Sequence, residues 1–396
     1  MKLLFLTPQR PYPTHQGTTI RNFNLIKELA KRHQIWLLTF LEPDQVADHG
    51  PLAQLCRQIT TVPVPERSIA RRLGQMLTTG RPDMSWRLWS PQFQAALQDW
   101  LQRLEFEAVF IEGIEMAPYL AAVRQFAPQT KIIYDDHNAE WLLQQRNFMV
   151  DVKNPRRWPA AGYSFVQTQR LKRYERQICR AADQVVVCSR ADQEAIQYLA
   201  PELEITLLSN GVDLAQYSRY QGDTVPFDLL FTGKMDYRPN IDAMLWFGAE
   251  VLPYIQAACP TVRLGIVGQR PHPRLAPLRA NPAVTITGFV DQILPYIAGA
   301  KVFIAPFRVG GGTRLKLLEA MAMRKPIVAT TVGAEGYPVT SGQEMILVDQ
   351  PTEMAQAIIR LLADQAERDR LGERAFQFVE NHYSWEALVP RLETLL

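Results

Sequence analysis

Two Rossmann-like α/β domains in one chain are the fold class that the sequence predicts, and three observations predict it. A length of 396 residues exceeds one ordinary core and suits two α/β domains. Short β-branched or apolar runs recur along the chain, each followed by a helix-length amphipathic segment, and that alternation gives parallel sheets with helical crossovers. Several of the runs are apolar throughout, as strands covered by helices on both faces are.

In chain order the first half offers strands at Lys2–Thr7, Ile35–Phe40, Ile59–Pro63, Ala108–Glu112, Lys131–Asp135, Gln184–Cys188 and Ile205–Leu208. The second half offers Asp228–Thr232, Arg263–Val267, Val284–Thr287, Lys301–Pro306, Pro326–Thr330 and Met345–Val348. Ser189 with Asp192 reads as a capping box, and Asn240 after Pro239 reads as the start of a helix carrying Ile241, Met244, Leu245, Val251, Leu252 and Ile255. The stretch Leu214–Val225 has no apolar periodicity and marks the boundary, giving domains at 1–213 and 214–383. After Asp349 the pattern is helical to the end, and the last helix, 384–396, is expected to pack back onto the first domain. Two such domains place their ligand in a cleft between the C-terminal edges of their sheets.

The composition, 47% hydrophobic and 21% charged, is that of a globular protein. Met1 to Pro11 holds one Lys and a four-residue apolar run, too little for a signal peptide. No stretch reaches the apolar length of a membrane span, so a cytoplasmic protein is expected. Cys56, Cys179, Cys188 and Cys259 form no zinc or disulfide pattern. A net charge of +3 gives no argument for nucleic acid as a partner.

The segment from Ala305 to Ala322 carries the clearest chemistry. A strand ends, Gly310, Gly311 and Gly312 let the backbone approach a ligand, and a helix is expected to begin near Thr313, with Arg314 and Leu315 following. Unpaired N–H groups and the positive dipole at such a helix start cradle phosphate. Glu319 lies about two turns in, where a carboxylate accepts both hydroxyls of a ribose. A plain glycine turn before a core helix would read the same way.

At these residues the chain resembles glycosyltransferase family 4, whose donor motif pairs two glutamates separated by seven residues, the second in a Leu-Glu-Ala-Met-Ala run. Glu319 matches the second. Gly311 occupies the first, so the sugar contact made there in the family is lost or passes to the backbone N–H groups of Gly310 to Gly312. The glycine-rich form followed by Thr-Arg-Leu-Lys resembles a branch serving exopolysaccharide and exosortase-associated systems. Pro8–Gly17, Ser209–Asp213, Phe231–Lys234, Gly265–Gly268, Gly288–Asp291 and Tyr383–Trp385 fall in the family's order, so the resemblance covers nearly the whole chain.

The resemblance implies the GT-B fold, two Rossmann-like domains facing each other across a cleft, the first for the acceptor and the second for the donor. It implies a retaining hexosyltransferase that moves a sugar from a nucleotide-diphosphate donor to a glycan or lipid-linked acceptor in cell-surface polysaccharide or glycoconjugate synthesis. Lys234 matches the cation at the donor diphosphate, with Arg238 the nearest second one. Val290 matches the main-chain contact to the base, Gly17 the loop beside the phosphates, and His137 the histidine near the reacting carbon. Glu112 and Asp136, at strand tips, are placed on the acceptor side. No cofactor is expected beyond the nucleotide sugar as co-substrate, and no metal, because the adjacent Asp135 and Asp136 are not a separated acidic pair. A nucleotide-sugar 2-epimerase, a phosphorylase or a non-catalytic nucleotide-sugar-binding protein on the same fold is the alternative. Arg67, Arg71, Arg72 and Arg81 interleave with Ile69, Leu73, Met76 and Leu77, and a second basic stretch from Arg156 to Arg180 holds Trp158, Phe165 and Tyr174. Basic amphipathic stretches of this kind rest on anionic membrane, which would place the protein at the inner face, although most charge runs are solvated helix faces.

Overall fold

The computed structural model describes residues 1–14, 17–42, 48–68, 72, 74–75, 78–152, 155–309 and 313–396. The chain divides into two compact units: Met1–Ser209 with Leu388–Leu396, and Asn210–Ala387.

Unit 1 is built on seven parallel strands: β1 (Lys2–Thr7), β2 (Gln34–Leu41), β3 (Cys56–Pro63), β4 (Ala108–Glu112), β5 (Lys131–Asp136), β6 (Gln184–Val187) and β7 (Ile205–Leu207). They lie in the order β3-β2-β1-β4-β5-β6-β7. The apolar runs are buried, with Leu3 to Leu6 and Val109 to Ile111 essentially inaccessible and Phe5 stacked on Phe110 at 4.3 Å. The last nine residues belong to this unit, where Lys131 donates to the carbonyls of Leu395 and Leu396 at 3.2 and 2.9 Å.

Unit 2 repeats the plan with six parallel strands: β8 (Phe227–Thr232), β9 (Leu264–Val267), β10 (Val284–Gly288), β11 (Ala300–Ala305), β12 (Ile327–Ala329) and β13 (Ile346–Leu347). Their order is β10-β9-β8-β11-β12-β13. In each unit the order reverses beside the first strand, between β1 and β4 and between β8 and β11, and crevices for ligands open at that switch point.

Every expected strand is present, with ends within three residues of those read from the sequence. Local starts differ more. Ser189 caps the Asp192 N–H at 3.2 Å, but Asp192 does not close the box: one oxygen meets the Ser189 hydroxyl and the other accepts from the Ala139 N–H at 2.9 Å. The helix read as starting at Asn240 begins at Arg238, and Asn240 sits inside its first turn with its side chain donating to the Lys234 carbonyl at 2.7 Å. The helix expected near Thr313 begins at Leu315 with Arg314 as its cap residue. Within the aperiodic Leu214–Val225 stretch, Leu214–Ser218 is helical, started by Asp213 accepting from the Ala215 and Gln216 N–H groups. No helix among the described residues is long and apolar enough to cross a membrane.

Candidate functional site

In unit 2 the switch point is built around two glycines. Gly233, just past β8, has φ 152°, and a Cβ there would come within 2.6 Å of the Lys316 Nζ and 2.8 Å of the Asn240 amide nitrogen. Gly268, just past β9, would place a Cβ 1.8 Å from the Gly233 carbonyl oxygen. Only glycine allows the two strand ends and the Lys316 ammonium to come this close.

Lys316 enters from the helix Leu315–Ala322, which follows β11 and whose start no side chain caps among the described residues. Its ammonium lies over the rings of Phe231 and Phe307, at 4.3 and 4.9 Å, and donates to the Asn240 side-chain oxygen at 3.1 Å. Burial, with the nearby Arg314 charge adding to it and Glu319 opposing, holds its pKa down to about 7. Glu319, one turn on, accepts from the Tyr217 hydroxyl at 3.0 Å. Burial raises its pKa against the pull of Tyr217 and Lys316. An ammonium held in this way beside an uncapped helix start concentrates positive potential at the end of the sheet.

The other residues picked from the sequence divide around this centre. Lys234 is 50% exposed and 3.8 Å from Asp236, which Arg270 also approaches at 3.6 Å. Arg238 is exposed on the first turn of the next helix. Arg314 is buried, lies over the Phe307 ring at 3.9 Å and donates to the Val332 carbonyl at 3.2 Å. Thr313 and Leu315 flank it, half-buried. Val290, two residues past Gly288 with its φ of 76°, packs partly against the core and leaves its main chain at the turn. Gly310, Gly311 and Gly312 lie outside the described residues.

In unit 1, the β4 and β5 tips bring together Glu112, Asp135 and His137. The His137 Nε2 lies 2.9 Å from a Glu112 oxygen, and Arg21 grips Asp135 with two bonds, of 2.8 and 3.0 Å, while also donating to the Leu208 carbonyl at 2.9 Å. Burial works against charge on His137, but the Glu112 hydrogen bond and the Asp135 and Glu112 charges outweigh it and raise its pKa. Among the described residues these three side chains are the group whose ligand atoms, all within 4.8 Å of one another, stand close enough to share a cation. Arg21 already occupies both oxygens of Asp135 and adds a fixed positive charge, which opposes that use. Gly17 opens the helix Gly17–Leu29 that carries Arg21, and it is exposed.

Asp136 was expected among the cleft-facing tips, and its position corrects that expectation: it is 1% exposed, turned inward, and accepts from the Tyr134 hydroxyl at 2.9 Å. Successive residues of a strand point to opposite faces, so Asp135 meets Arg21 while Asp136 goes under the next helix. There Glu175 accepts from the Glu140 and Trp141 N–H groups at 2.7 and 3.1 Å, starting the helix Glu140–Asp151 in place of Ala139, which has no group to cap with. Lys316, Tyr217 and Arg21 were not singled out from the sequence, and Asn240 was read only as a helix start. Lys316 alone carried a local signal, as the cation one turn before Glu319.

Two Rossmann-like units, each a parallel sheet whose strand order reverses beside its first strand, define a two-unit α/β protein. The chain belongs to glycosyltransferase family 4: residues 16–216 match the family model described as Glycosyltransferase Family 4, and residues 226–364 match that of Glycosyl transferases group 1. An uncharacterised 44.6 kDa protein of the cps region of Klebsiella pneumoniae is 26% identical over 164 residues, covering 39% of this chain and 42% of that protein. A GDP-mannose-dependent monoacylated alpha-(1-6)-phosphatidylinositol monomannoside mannosyltransferase of Corynebacterium glutamicum is 26% identical over 159 residues, covering 37% and 42%. The chain spans about half the length of the curated relatives it matches, or less. The crystal structure of Anabaena Alr3699/HepE in complex with UDP has a TM-score of 0.67 at 17% identity over 100% of this chain and 99% of that one, and the fold is accordingly GT-B.

Proposed function

We propose that the protein transfers a sugar, with retention of configuration and without a metal ion, from a nucleotide-diphosphate donor held by unit 2 to a glycan or lipid-linked acceptor served by unit 1. The observation that carries this reading is Lys316 and Glu319 standing one helical turn apart beside Gly233, a cation for the diphosphate and a carboxylate for the ribose. Lys234 and Arg238 add exposed charge, the Val290 main chain meets the base, and the helix start from Thr313 to Leu315 faces the phosphates. The bond from the anomeric carbon to the diphosphate breaks, the acceptor oxygen bonds to the same face, and the hydroxyl proton passes to the departing phosphate. Growing negative charge on the leaving group is met by cations already in place. The His137–Glu112 pair is assigned to the sugar hydroxyls. A UDP complex in one structural neighbour and GDP-mannose in a relative's name support a nucleotide sugar as co-substrate, and a cps-region relative supports cell-surface polysaccharide synthesis.

Proton NMR of the first product formed tests the stereochemistry: the donor's own anomeric configuration is expected, and the inverted one would contradict retention. Turnover is also expected to continue in EDTA, because fixed cations replace a metal; loss in EDTA with recovery on Mn²⁺ or Mg²⁺ would contradict that part. Lys234→Ala is expected to lower kcat by about tenfold, less than a buried cation would, because water and salt screen a half-exposed charge. Steady-state kinetics at two ionic strengths read this, and an unchanged kcat would remove Lys234 from the leaving-group site.

A further inference from the structure

Of the thirteen large hydrophobic side chains exposed among the described residues, seven lie between Leu143 and Val166. They sit on one helical hairpin of unit 1, in which the helix Glu140–Asp151 packs on the helix Trp158–Ala181. Met149, Val152, Trp158 and Phe165 are open, at 57, 42, 61 and 50%. They are neighbours at the turn of the hairpin. The Trp158 indole donates to the Val152 carbonyl at 3.2 Å, and Phe165 meets Phe148, next to Met149, with ring centroids 5.6 Å apart. Single exposed apolar residues are ordinary, whereas a cluster marks a surface that something covers.

The charge around the cluster identifies what covers it. Residues 140 to 180 hold nine Lys and Arg against three Asp and Glu. Of those acids Glu175 is buried, and Asp151 is paired with Arg157 at 2.7 Å. Arg146 and Arg173 are exposed without a described partner. The other basic stretch differs, since its Arg67 and Arg72 both bind Asp83, at 2.7 and 3.1 Å, and residues 69–71, 73 and 76–77 lie outside the described residues. A second copy of the chain is a poor occupant of the hairpin surface, because a two-fold contact sets the same patch against itself and would oppose like charges. Anionic lipid complements both features: aromatic and aliphatic side chains enter the boundary of the acyl chains while arginines reach the phosphates.

We propose that the exposed face of this hairpin lies along an anionic bilayer, with Met149, Val152, Trp158 and Phe165 entering the interface and Arg146 and Arg173 meeting the headgroups. This deepens the proposed function and rests on that reading for its biological sense. Vesicle binding is measured without donor or acceptor, so its failure and the failure of the transferase reading are distinguishable.

The test is co-sedimentation of the full chain with phosphatidylcholine vesicles and with vesicles that also contain phosphatidylglycerol, at low and raised salt. Pelleting with the anionic vesicles alone is expected, with release by salt. The pair Trp158→Ser and Phe165→Ser should lower binding by about tenfold or more, two large side chains being kept from the interface. Arg146→Glu with Arg173→Glu, which leaves every apolar residue in place, should lower it by a similar factor. Absence from the anionic pellet, or pelleting undiminished in either variant, would overturn the proposal. So would a dimer in sedimentation equilibrium that Trp158→Ser with Phe165→Ser abolishes while vesicles bind neither form, because the patch would then belong to a second copy.

Discussion

Lys316→Met should lower kcat by about a hundredfold to a thousandfold, because removing one preorganised donor from developing negative charge in a closed site has an effect of that order. The ammonium is enclosed by Phe231, Phe307 and Asn240, where its field is little screened. Its pH behaviour separates this role from a structural one. In the unfolded chain Lys316 keeps its proton up to the ordinary 10.5, and in the folded, ligand-free protein only up to about 7. Between those values the unfolded chain binds more protons, so this residue's effect on stability is unfavourable at and below neutral pH and fades as pH rises toward 10.5. Lys316→Met should therefore melt at the wild-type temperature or higher near neutral pH, with the difference shrinking on the alkaline side, while losing turnover. A variant that loses stability and activity together would point to a packing role.

Glu319→Ala should weaken the free nucleoside diphosphate by about 1.5–3 kcal/mol, on the order of tenfold to a hundredfold in Kd, for a lost charge-assisted contact. On the proposed function Glu319 would hold the ribose before and during transfer, so the change should appear mainly as a raised KM with kcat little altered. The Tyr217 hydroxyl occupies one Glu319 oxygen and fixes the direction of the other. Unchanged nucleotide affinity in Glu319→Ala, measured by calorimetry, would move the ribose site elsewhere.

The strands were legible because their signal is local: an apolar run such as Leu3 to Leu6 or Val302 to Ala305 has few other uses in an α/β protein. The glycine run and Glu319 stand out in the sequence for the same reason, lying together within one motif. What escaped was pairing across the chain. Lys316 reads as a surface lysine of a helix start until Asn240, 76 residues earlier, supplies its acceptor, and Gly233 leaves the space it fills. Tyr217 lies 102 residues from Glu319, and Arg21 lies 114 from Asp135. Asp136 was misread for a different reason. At a strand end one residue decides which face a side chain takes, and Tyr134 beneath it draws the carboxylate inward. The capping box failed because Asp192 had a stronger claim on it, the Ala139 N–H, from a helix start that cannot cap itself.

Lys316 and Glu319 are proposed to form the seat of a nucleoside diphosphate. Calorimetric titration with UDP, GDP, ADP and TDP at about pH 8, repeated in buffers of different ionisation enthalpy, tests it most directly, since Lys316 is then largely neutral and a bound diphosphate would recharge it. One nucleotide should bind with uptake of a fraction of a proton approaching one, an uptake absent in Lys316→Met, and with lower affinity in Glu319→Ala. Binding of none of the four, or binding with no proton uptake that both variants leave unchanged, would contradict the account.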